Sequence, residues 1–283
     1  YEIVHVHLFP AQYWVILAKL ISFSKTKLVF TEHSTSNRRI QSSWLKYIDR
    51  FIYKKYHKIV CITPKVFDVI KMHTKLSEKN LQIILNGVNV SKYRNAEPLP
   101  KADFFPEFNE NEKFVIQVSS YHPPKDQQTL IRAISLLPEN IKLLLAGDGV
   151  TRKDCELLVA SLELEKRVFF LGLRMDIPNL LKNVDIVVLS SRYEGLSLSS
   201  IEGMASGKPF IASDVPGLSE IVGGAGLLFQ VGNEKELAEN IAKLLSDKEY
   251  YSSIVESCQK RAEEFDIQSM VNKHINLYNS ILN

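Results

Sequence analysis

The chain has 283 residues, of which 45% are hydrophobic and 24% are charged, so its composition is that of a globular protein and excludes a disordered or collagen-like chain. Its longest apolar stretch, from Tyr13 to Phe23, is interrupted by Lys19 and is too short to span a bilayer. The first hundred residues carry 16 Lys and Arg against 6 Asp and Glu, whereas the rest carries 19 against 26. The basic first part indicates either an anionic partner, such as a membrane surface, a phosphorylated lipid or an acidic glycan, or a solvated face.

Short apolar runs alternate with amphipathic segments in the first part of the chain. The predicted strands are 2–8, 27–31, 58–62 and 81–85, and the predicted helices are 10–23, 42–56 and one beginning at Pro64. Proline is favoured in the first turn of a helix because its missing N–H would be unpaired there anyway. The polar, proline-bearing stretch 95–106 follows and predicts a domain boundary near residue 97.

The same alternation continues after the boundary. The predicted strands are 114–118, 141–146, 168–171, 185–189, 209–212 and 226–229, with helices at 127–137, 152–164, 177–182, 199–206 and 234–246. Strands that alternate with helices predict parallel, doubly wound sheets, and wholly apolar strands are typical of sheets covered on both faces. We therefore expect an α/β protein with domains at 1–97 and 98–264 and a final helical segment at 265–283.

In such sheets, ligands bind outside the carboxyl ends of the strands. The strongest candidate cluster runs from Ser190 to Ala205, where Glu194-Gly195 precedes serines that open a helix bearing Glu202. A helix N-terminus favours phosphate, and the two carboxylates are suited to the hydroxyl pairs of a sugar and a ribose. A capping box between Ser199 and Glu202 explains the same spacing equally well.

Three further clusters follow predicted strands. Lys125 is placed to neutralise a diphosphate or is a surface lysine, and His33 contacts a substrate or is a hydrogen-bonded histidine without further role. The segment Gly147-Asp148-Gly149 is typical of a tight turn. His5 and His7 alternate on a strand, but no third metal ligand lies near them in the sequence, so no metal site is expected.

In order, the motifs are His-x-His, Thr-x-His, Asn-Gly-Val, Pro-x-Lys-Asp, Gly-Asp-Gly, Phe-Leu-Gly and Glu-x7-Glu. Together they resemble the retaining glycosyltransferases of family 4, also called group 1, over essentially the whole chain. The resemblance implies a GT-B fold with two Rossmann-like domains and a final helix that crosses back onto the first. It also implies a UDP- or GDP-linked sugar donor, a glycan or lipid-linked acceptor, retention of anomeric configuration, and no requirement for a metal or other cofactor.

The resemblance assigns roles to individual residues. Glu194 would contact donor-sugar hydroxyls, Lys125 would bind the diphosphate, and His33 would line the sugar pocket. Glu202 would hold the ribose hydroxyls. Backbone N–H groups for the sugar and diphosphate would come from Gly195, Leu196 and Ser197, and the base would be bordered by Gly172, Leu173 and Arg174.

Two features depart from the family pattern. Ser120 stands where the family often has an arginine, so one positive contact to the diphosphate is in doubt. The chain also begins at a strand that the family reaches only after an opening strand, a glycine-rich loop and a helix. We therefore expect an incomplete N-terminal domain and less than full activity from this chain alone.

The helix predicted at 42–56 suggests where an acceptor is met. Its basic row of Lys46, Arg50, Lys54 and Lys58 faces either anionic lipid or solvent, while Trp44, Leu45, Ile48, Phe51 and Ile52 are expected to pack on the sheet. We expect a cytoplasmic enzyme that visits the inner membrane surface in surface polysaccharide synthesis, with no nucleic-acid partner. A nucleotide-sugar epimerase and a truncated, non-catalytic nucleotide-sugar binder remain as alternatives.

Overall fold

The computed structural model describes residues 1–34, 45–100 and 111–283. The chain forms two compact units, one comprising Tyr1–Gly87 with Ile267–Asn283 and the other comprising Val88–Asp266. Each unit is an α/β layer structure built on its own parallel sheet.

The described residues of the first unit form four parallel strands in the order β1-β2-β3-β4. They are β1 (Ile3–His7), β2 (Lys27–Glu32), β3 (Lys58–Cys61) and β4 (Leu81–Ile83). Among the described residues, the helices of this unit are Ala11–Ser22, Leu45–Tyr53, Pro64–Thr74 and Ile267–Leu282, with a short 3-10 turn at Glu78–Asn80. As predicted, Pro64 opens its helix, and the Thr63 side chain accepts a hydrogen bond from the N–H of Val66.

Alternate residues of this sheet enter two separate cores. Leu28 and Phe30 pack with the connecting helices on one face, whereas Val29 points to the other face and joins Leu277 of the final helix. This alternation is the period-two geometry of a strand. Because the helix Ile267–Leu282 covers the second face, the apolar runs of this sheet are buried on both sides.

The prediction for the helix at 42–56 is only partly right. Residues 42–44, including Trp44, lie outside the described residues, and the helix spans Leu45–Tyr53. Ile52 is buried, but Ile48 and Phe51 are 41% and 52% exposed. Asp49 is fully buried instead, because its carboxylate accepts hydrogen bonds from Tyr13 and His73 of two neighbouring helices.

In the second unit, the residues that the structure describes form six parallel strands in the order β10-β9-β8-β5-β6-β7. They are β5 (Lys113–Val118), β6 (Ile141–Ala146), β7 (Val168–Gly172), β8 (Ile186–Leu189), β9 (Phe210–Ser213) and β10 (Leu227–Phe229). The helices in the described part of this unit are Val90–Arg94, Gln127–Ser135, Arg152–Ser161, Ile177–Asn183, Leu198–Ala205, Ser219–Val222, Glu234–Ser246 and Lys248–Glu263.

This strand order places a switch point at the centre of the second sheet. After β5 the chain adds β6 and β7 on one side, then returns to pair β8 with β5 on the other side. The loops after β5 and β8 therefore diverge at the same edge and leave a crevice, which is where doubly wound sheets bind ligands. The predicted Lys125 and Glu194 lie on these two loops.

The boundary between the units lies at Gly87, ten residues before the predicted position. The helix Val90–Arg94 explains the difference, because Val90 and Tyr93 are buried in the core of the second unit. The polar stretch that suggested a later boundary follows this helix, and residues 101–110 lie outside the described parts of the chain.

Candidate functional site

The loop after β5 is held to the sheet by a buried amide and a buried hydroxyl. The side-chain N–H₂ of Gln117 donates to the carbonyl of Lys125 at 3.0 Å, and the hydroxyl of Ser190 donates to the carbonyl of Asp126 at 2.8 Å. Asp126 adopts a left-handed conformation (φ +44°), and its carboxylate accepts from Thr129 at 2.8 Å. These bonds fix the backbone from which the Lys125 side chain projects.

Lys125 and Glu194 meet across the switch point. Lys125 Nζ donates to Glu194 Oε1 at 2.5 Å, and the Ser191 hydroxyl donates to the same oxygen at 2.7 Å. The side chains of Lys125 and Glu194 are only 22% and 10% exposed. The crevice therefore contains a paired cation and carboxylate that are shielded from most of the solvent.

The turn that carries Glu194 rests on a glycine that the sequence motifs did not single out as part of a site. Gly217 has φ +90°, and a Cβ atom at this position would lie 2.1 Å from the carbonyl oxygen of Gly195 and 2.6 Å from that of Glu194. Only glycine permits this approach of two backbones. A Cβ atom built on Gly195 would meet nothing within 4 Å, so a ligand can approach that side of its backbone closely.

Ser197 is the N-cap of the helix Leu198–Ala205, and its hydroxyl accepts a hydrogen bond from the N–H of Ser200. The predicted capping box between Ser199 and Glu202 is therefore wrong, because Ser199 lies inside the helix. The Ser197 hydroxyl binds the N–H of Ser200, whereas the N–H groups of Leu198 and Ser199 have no partner within the helix, and the half-buried Leu196 precedes them. Such a helix start attracts an anionic group.

Glu202 is half-buried, and its partner is Tyr93 of the helix Val90–Arg94. The pKa of Glu202 is raised above its ordinary value, because burial outweighs the opposing effects of the hydrogen bond from Tyr93 and the charge of Lys92. The tyrosine is 8% exposed and lies 109 positions earlier in the sequence. No local pattern connects Tyr93 with Glu202, and the sequence analysis missed it for this reason.

The loops after β6 and β7 border the same edge of the sheet. Gly147 and Gly149 have positive φ, and Cβ atoms there would overlap the carbonyl oxygens of Ser119 and Tyr121, so the predicted tight turn also supports the loop that contains Ser120. After β7, Leu173 is 81% exposed between Gly172 and Arg174. Arg174 binds Asp176 through two hydrogen bonds, and no contact joins it to Lys125 or Glu194 in this part of the structure.

His33 lies in the first unit, directly after β2. The buried carboxylate of Glu32 accepts hydrogen bonds from the N–H groups of His33 and Ser34, both at 3.2 Å, and from the hydroxyl of Tyr53 at 2.5 Å. His7 Nδ1 is 3.1 Å from His33 Nε2. Both the backbone and the ring of His33 are therefore held by neighbours.

Neither unit offers a metal site in its described residues, since no group of three His, Cys, Asp or Glu side chains is arranged to hold an ion. No helix among the described residues combines the length and apolarity needed to cross a bilayer.

Two family models match the chain. Residues 100–261 match "Glycosyl transferases group 1", and residues 1–92 match "Glycosyltransferase Family 4". The chain is 28% identical to N-acetyl-alpha-D-glucosaminyl L-malate synthase of Bacillus anthracis over 99% of its own length and 75% of that protein. It is 24% identical to UDP-Gal:alpha-D-GlcNAc-diphosphoundecaprenol alpha-1,3-galactosyltransferase of Escherichia coli, over 88% and 66% of the two chains.

Among solved structures, the fold resembles Anabaena Alr3699/HepE in complex with UDP, with a TM-score of 0.84 and 23% identity. This match covers 99% of the present chain and 79% of the other. The two parallel sheets, the crevice at the switch point and the family models agree, and the chain belongs to the group 1 glycosyltransferases, which have the GT-B fold.

Proposed function

We propose that this protein transfers a sugar from a nucleotide-sugar donor to a glycan or lipid-linked acceptor, with retention of anomeric configuration. The observation that carries the proposal is the pair formed by Lys125 and Glu194 across the switch point. A sugar diphosphate requires a cation for its phosphates and a hydrogen-bond acceptor for its sugar hydroxyls. Lys125 is the cation and Glu194 is the acceptor, and the two side chains lie within hydrogen-bonding distance of each other.

In the proposed complex, a donor separates the two side chains. Lys125 turns to the diphosphate and stabilises the negative charge that grows on it as the glycosidic bond breaks. Glu194 then accepts hydrogen bonds from sugar hydroxyls, with Ser191 still donating to Oε1. The role in the sugar pocket that the family resemblance implies for His33 stays a prediction.

The remaining part of the donor fits the features beside the crevice. The N–H groups of Gly195, Leu196 and Ser197 and the helix start bind phosphate oxygens, while Glu202 accepts from the ribose hydroxyls. The base lies along Gly172, Leu173 and Arg174. The UDP in the related Anabaena structure supports a uridine nucleotide, and a guanosine nucleotide remains the alternative.

Retention follows if the acceptor hydroxyl attacks the face from which the diphosphate leaves. Lys125 and the helix start at Ser197 supply positive charge for the leaving group, which supports a reaction without a metal. Ser120 contributes no charge at the position where the family often has an arginine. Its carbonyl accepts a hydrogen bond from Gln127 instead.

The acceptor is proposed to lie at the cytoplasmic face of a membrane. Tyr47, Ile48 and Phe51 are exposed on one helix, beside the exposed Lys54 and Lys55. Aromatic and aliphatic side chains flanked by lysines are typical of helices that rest in an anionic lipid interface. The diphosphoundecaprenol named for the Escherichia coli relative supports an acceptor of this kind.

Calorimetric titration with UDP, GDP and their sugars tests the donor site. We expect one nucleotide family to bind, Glu202→Ala to weaken its binding, and Lys125→Met to weaken it by about tenfold or more. Lys153→Met removes an exposed cation from the helix Arg152–Ser161 and serves as the matched control. Equal binding by the control and by Lys125→Met would refute the assigned role of Lys125.

Product analysis separates this function from the alternatives. Transfer to an added acceptor supports the proposal if the anomeric NMR signals show the same configuration in the product as in the donor. A transfer rate that a chelator leaves unchanged supports metal independence. Interconversion of the free nucleotide sugar would indicate an epimerase. Binding without turnover would indicate a non-catalytic binder.

A further inference from the structure

A second ion pair crosses the switch point beside the pair formed by Lys125 and Glu194. Arg192 Nε lies 3.0 Å from Asp126 Oδ2, and Arg192 Nη2 donates to Asp126 Oδ1 at 3.3 Å. The guanidinium thus places one nitrogen on each carboxylate oxygen, which a lysine ammonium cannot do in the same way. The loops after β5 and β8 are therefore joined by two ion pairs.

The two pairs have opposite polarity. Lys125 and Asp126 are neighbours on the loop after β5, whereas Arg192 and Glu194 lie on the loop after β8. Each loop supplies one cation and one anion, and the formal charges of the four side chains cancel. Loss of either cation therefore leaves an uncompensated carboxylate in the crevice.

Asp126 is the buried half of the second pair. Its side chain is 5% exposed, and its Oδ2 also accepts a hydrogen bond from the hydroxyl of Thr129 at 2.8 Å. A buried carboxylate is costly unless a cation and hydrogen bonds compensate it. Among the described residues, Arg192 is the cation that forms an ion pair with Asp126, so Asp126 favours a structure in which Arg192 stays bound to it.

The backbone of Arg192 is tied to the same loop. Its N–H donates to the carbonyl oxygen of Pro124 at 2.7 Å, while its side chain binds Asp126. Arg192 is therefore bonded to the residues immediately before and after Lys125. The position of Lys125 relative to the loop that carries Glu194 depends on these bonds.

A bound donor changes the balance between the two ion pairs. Under the proposed function, Lys125 turns from Glu194 to the diphosphate, so the first ion pair opens. The pair formed by Arg192 and Asp126 is then the ion pair that still joins the two loops. Both reacting groups must keep their places at this stage, because a misplacement of about 1 Å can lower the rate of an enzyme about a hundredfold.

We propose that Arg192 and Asp126 are positioning residues that hold the two loops together while the donor separates Lys125 from Glu194. This role rests on the proposed function, whereas the link between the loops exists in the free protein as well. In the free protein either ion pair maintains the link. In the donor complex only the second pair does, so its loss weakens donor binding more than it destabilises the free protein.

Direct binding of the diphosphate by Arg192 is a poorer explanation of the same geometry. The Arg192 side chain is 62% exposed and carries a charge suited to phosphate. To reach a phosphate, however, it would have to leave Asp126, whose buried carboxylate would then lack its cation. The structure therefore favours an action of Arg192 through the loop that it holds.

Calorimetric titration with UDP and GDP tests the proposal in the folded protein. Arg192→Gln should weaken binding of the nucleotide that the wild-type protein prefers by about fivefold, the upper range for a partly exposed ion pair. Arg192→Lys keeps the charge without the planar fork and should recover part of the affinity. Arg132→Gln makes the same exchange on the exposed face of the helix Gln127–Ser135 and should leave the affinity unchanged.

Asp126→Asn supplies the second arm of a double-mutant cycle. Asparagine tolerates the left-handed backbone of this position and can still accept from Thr129. Asp126→Asn should weaken nucleotide binding as Arg192→Gln does, and the double variant should bind no more weakly than the weaker single variant. Additive losses would overturn the proposal. So would a lower free energy of unfolding with unchanged affinity, because that result indicates a merely structural ion pair.

Hydrogen exchange at the N–H of residue 192 tests the link without any nucleotide. Lys125→Met opens the first ion pair, as the donor is proposed to do. Exchange should change little in Lys125→Met or Arg192→Gln alone and become about fivefold faster in the double variant. Equal exchange in the double and single variants would overturn the link. If the wild-type protein binds neither UDP nor GDP, the proposed function fails, and this exchange measurement still decides whether the second pair holds the loops.

Discussion

Replacing Gly217 by alanine should damage the candidate donor site through the backbone alone. The new Cβ atom would lie 2.1 Å from the carbonyl oxygen of Gly195, and real Cβ atoms keep at least 3.0 Å from such neighbours. The Glu194–Gly195 turn must therefore move by about an ångström, or Gly217 must retreat by the same distance. Movement of the turn separates Glu194 from Ser191 and Lys125, which now meet it at 2.7 and 2.5 Å, and retreat of Gly217 removes the backbone on which the turn rests.

Gly224 provides the matched control, because its φ is +75° and nothing lies within 4 Å of a Cβ built there. Alanine in a left-handed conformation costs roughly 1–2 kcal/mol at either position. For a unit of this size that corresponds to a decrease in Tm of about 2–8 °C. Gly217→Ala should lose more than the control, because it adds a collision between two backbones to the same conformational cost.

The assays are thermal unfolding and titration with the nucleotide that the wild-type protein binds. Gly224→Ala should retain wild-type affinity, while Gly217→Ala should bind about tenfold or more weakly, equivalent to at least about 1.4 kcal/mol. If both variants lose the same stability and neither loses affinity, then the turn at Glu194 does not depend on Gly217, and the argument from backbone approach is wrong.

Three other perturbations test separate parts of the molecule. Tyr93→Phe should weaken nucleoside diphosphate binding about fivefold, because it removes a hydrogen bond to a carboxylate, and should hardly affect a 2′,3′-dideoxy analogue in titration. The free energy of unfolding should decrease as pH falls from about 6.5 to about 4, because His5 binds a proton in the unfolded chain over this range and stays neutral in the folded protein. In denaturant titrations at several pH values, His5→Asn should reduce this pH dependence, and His122→Asn, at an exposed position, should not. Phe51→Ser should reduce sedimentation of the protein with anionic vesicles at all salt concentrations, whereas Lys54→Ala should reduce it mainly at low salt. Unchanged sedimentation of both variants would exclude the helix Leu45–Tyr53 as the lipid contact.

The strands and most helices were predictable because local pattern determines them. Ile141–Ala146 and Glu234–Ser246 have the predicted bounds, since a short apolar run and an amphipathic period are each contained within the segment itself. The orientation of Leu45–Tyr53 was not predictable in the same way. Asp49 is buried only because Tyr13 and His73, from two other helices, are placed to bind it.

In the candidate site, too, some residues were predictable from the local sequence and others were not. Lys125 and Glu194 were identified because each follows a strand, and the strand order then brings them together. Tyr93 contacts Glu202, and Gly217 contacts the Glu194 turn, from distant positions in the sequence. Neither residue type by itself indicates such a contact. A partner that depends on tertiary structure leaves no periodic pattern for sequence analysis to detect.

In each unit, a candidate site residue lies on a turn that buried hydrogen-bonding side chains hold in place. The carboxylate of Glu32 binds the backbone at His33, and the amide of Gln117, 1% exposed, binds the backbone at Lys125. Because a buried polar group without its partner costs free energy, these turns cannot relax without breaking the hydrogen bonds beneath them. Substitutions of these buried side chains should therefore also impair the turns above them. Gln117→Leu should weaken donor binding, although Gln117 is too deeply buried to reach the donor.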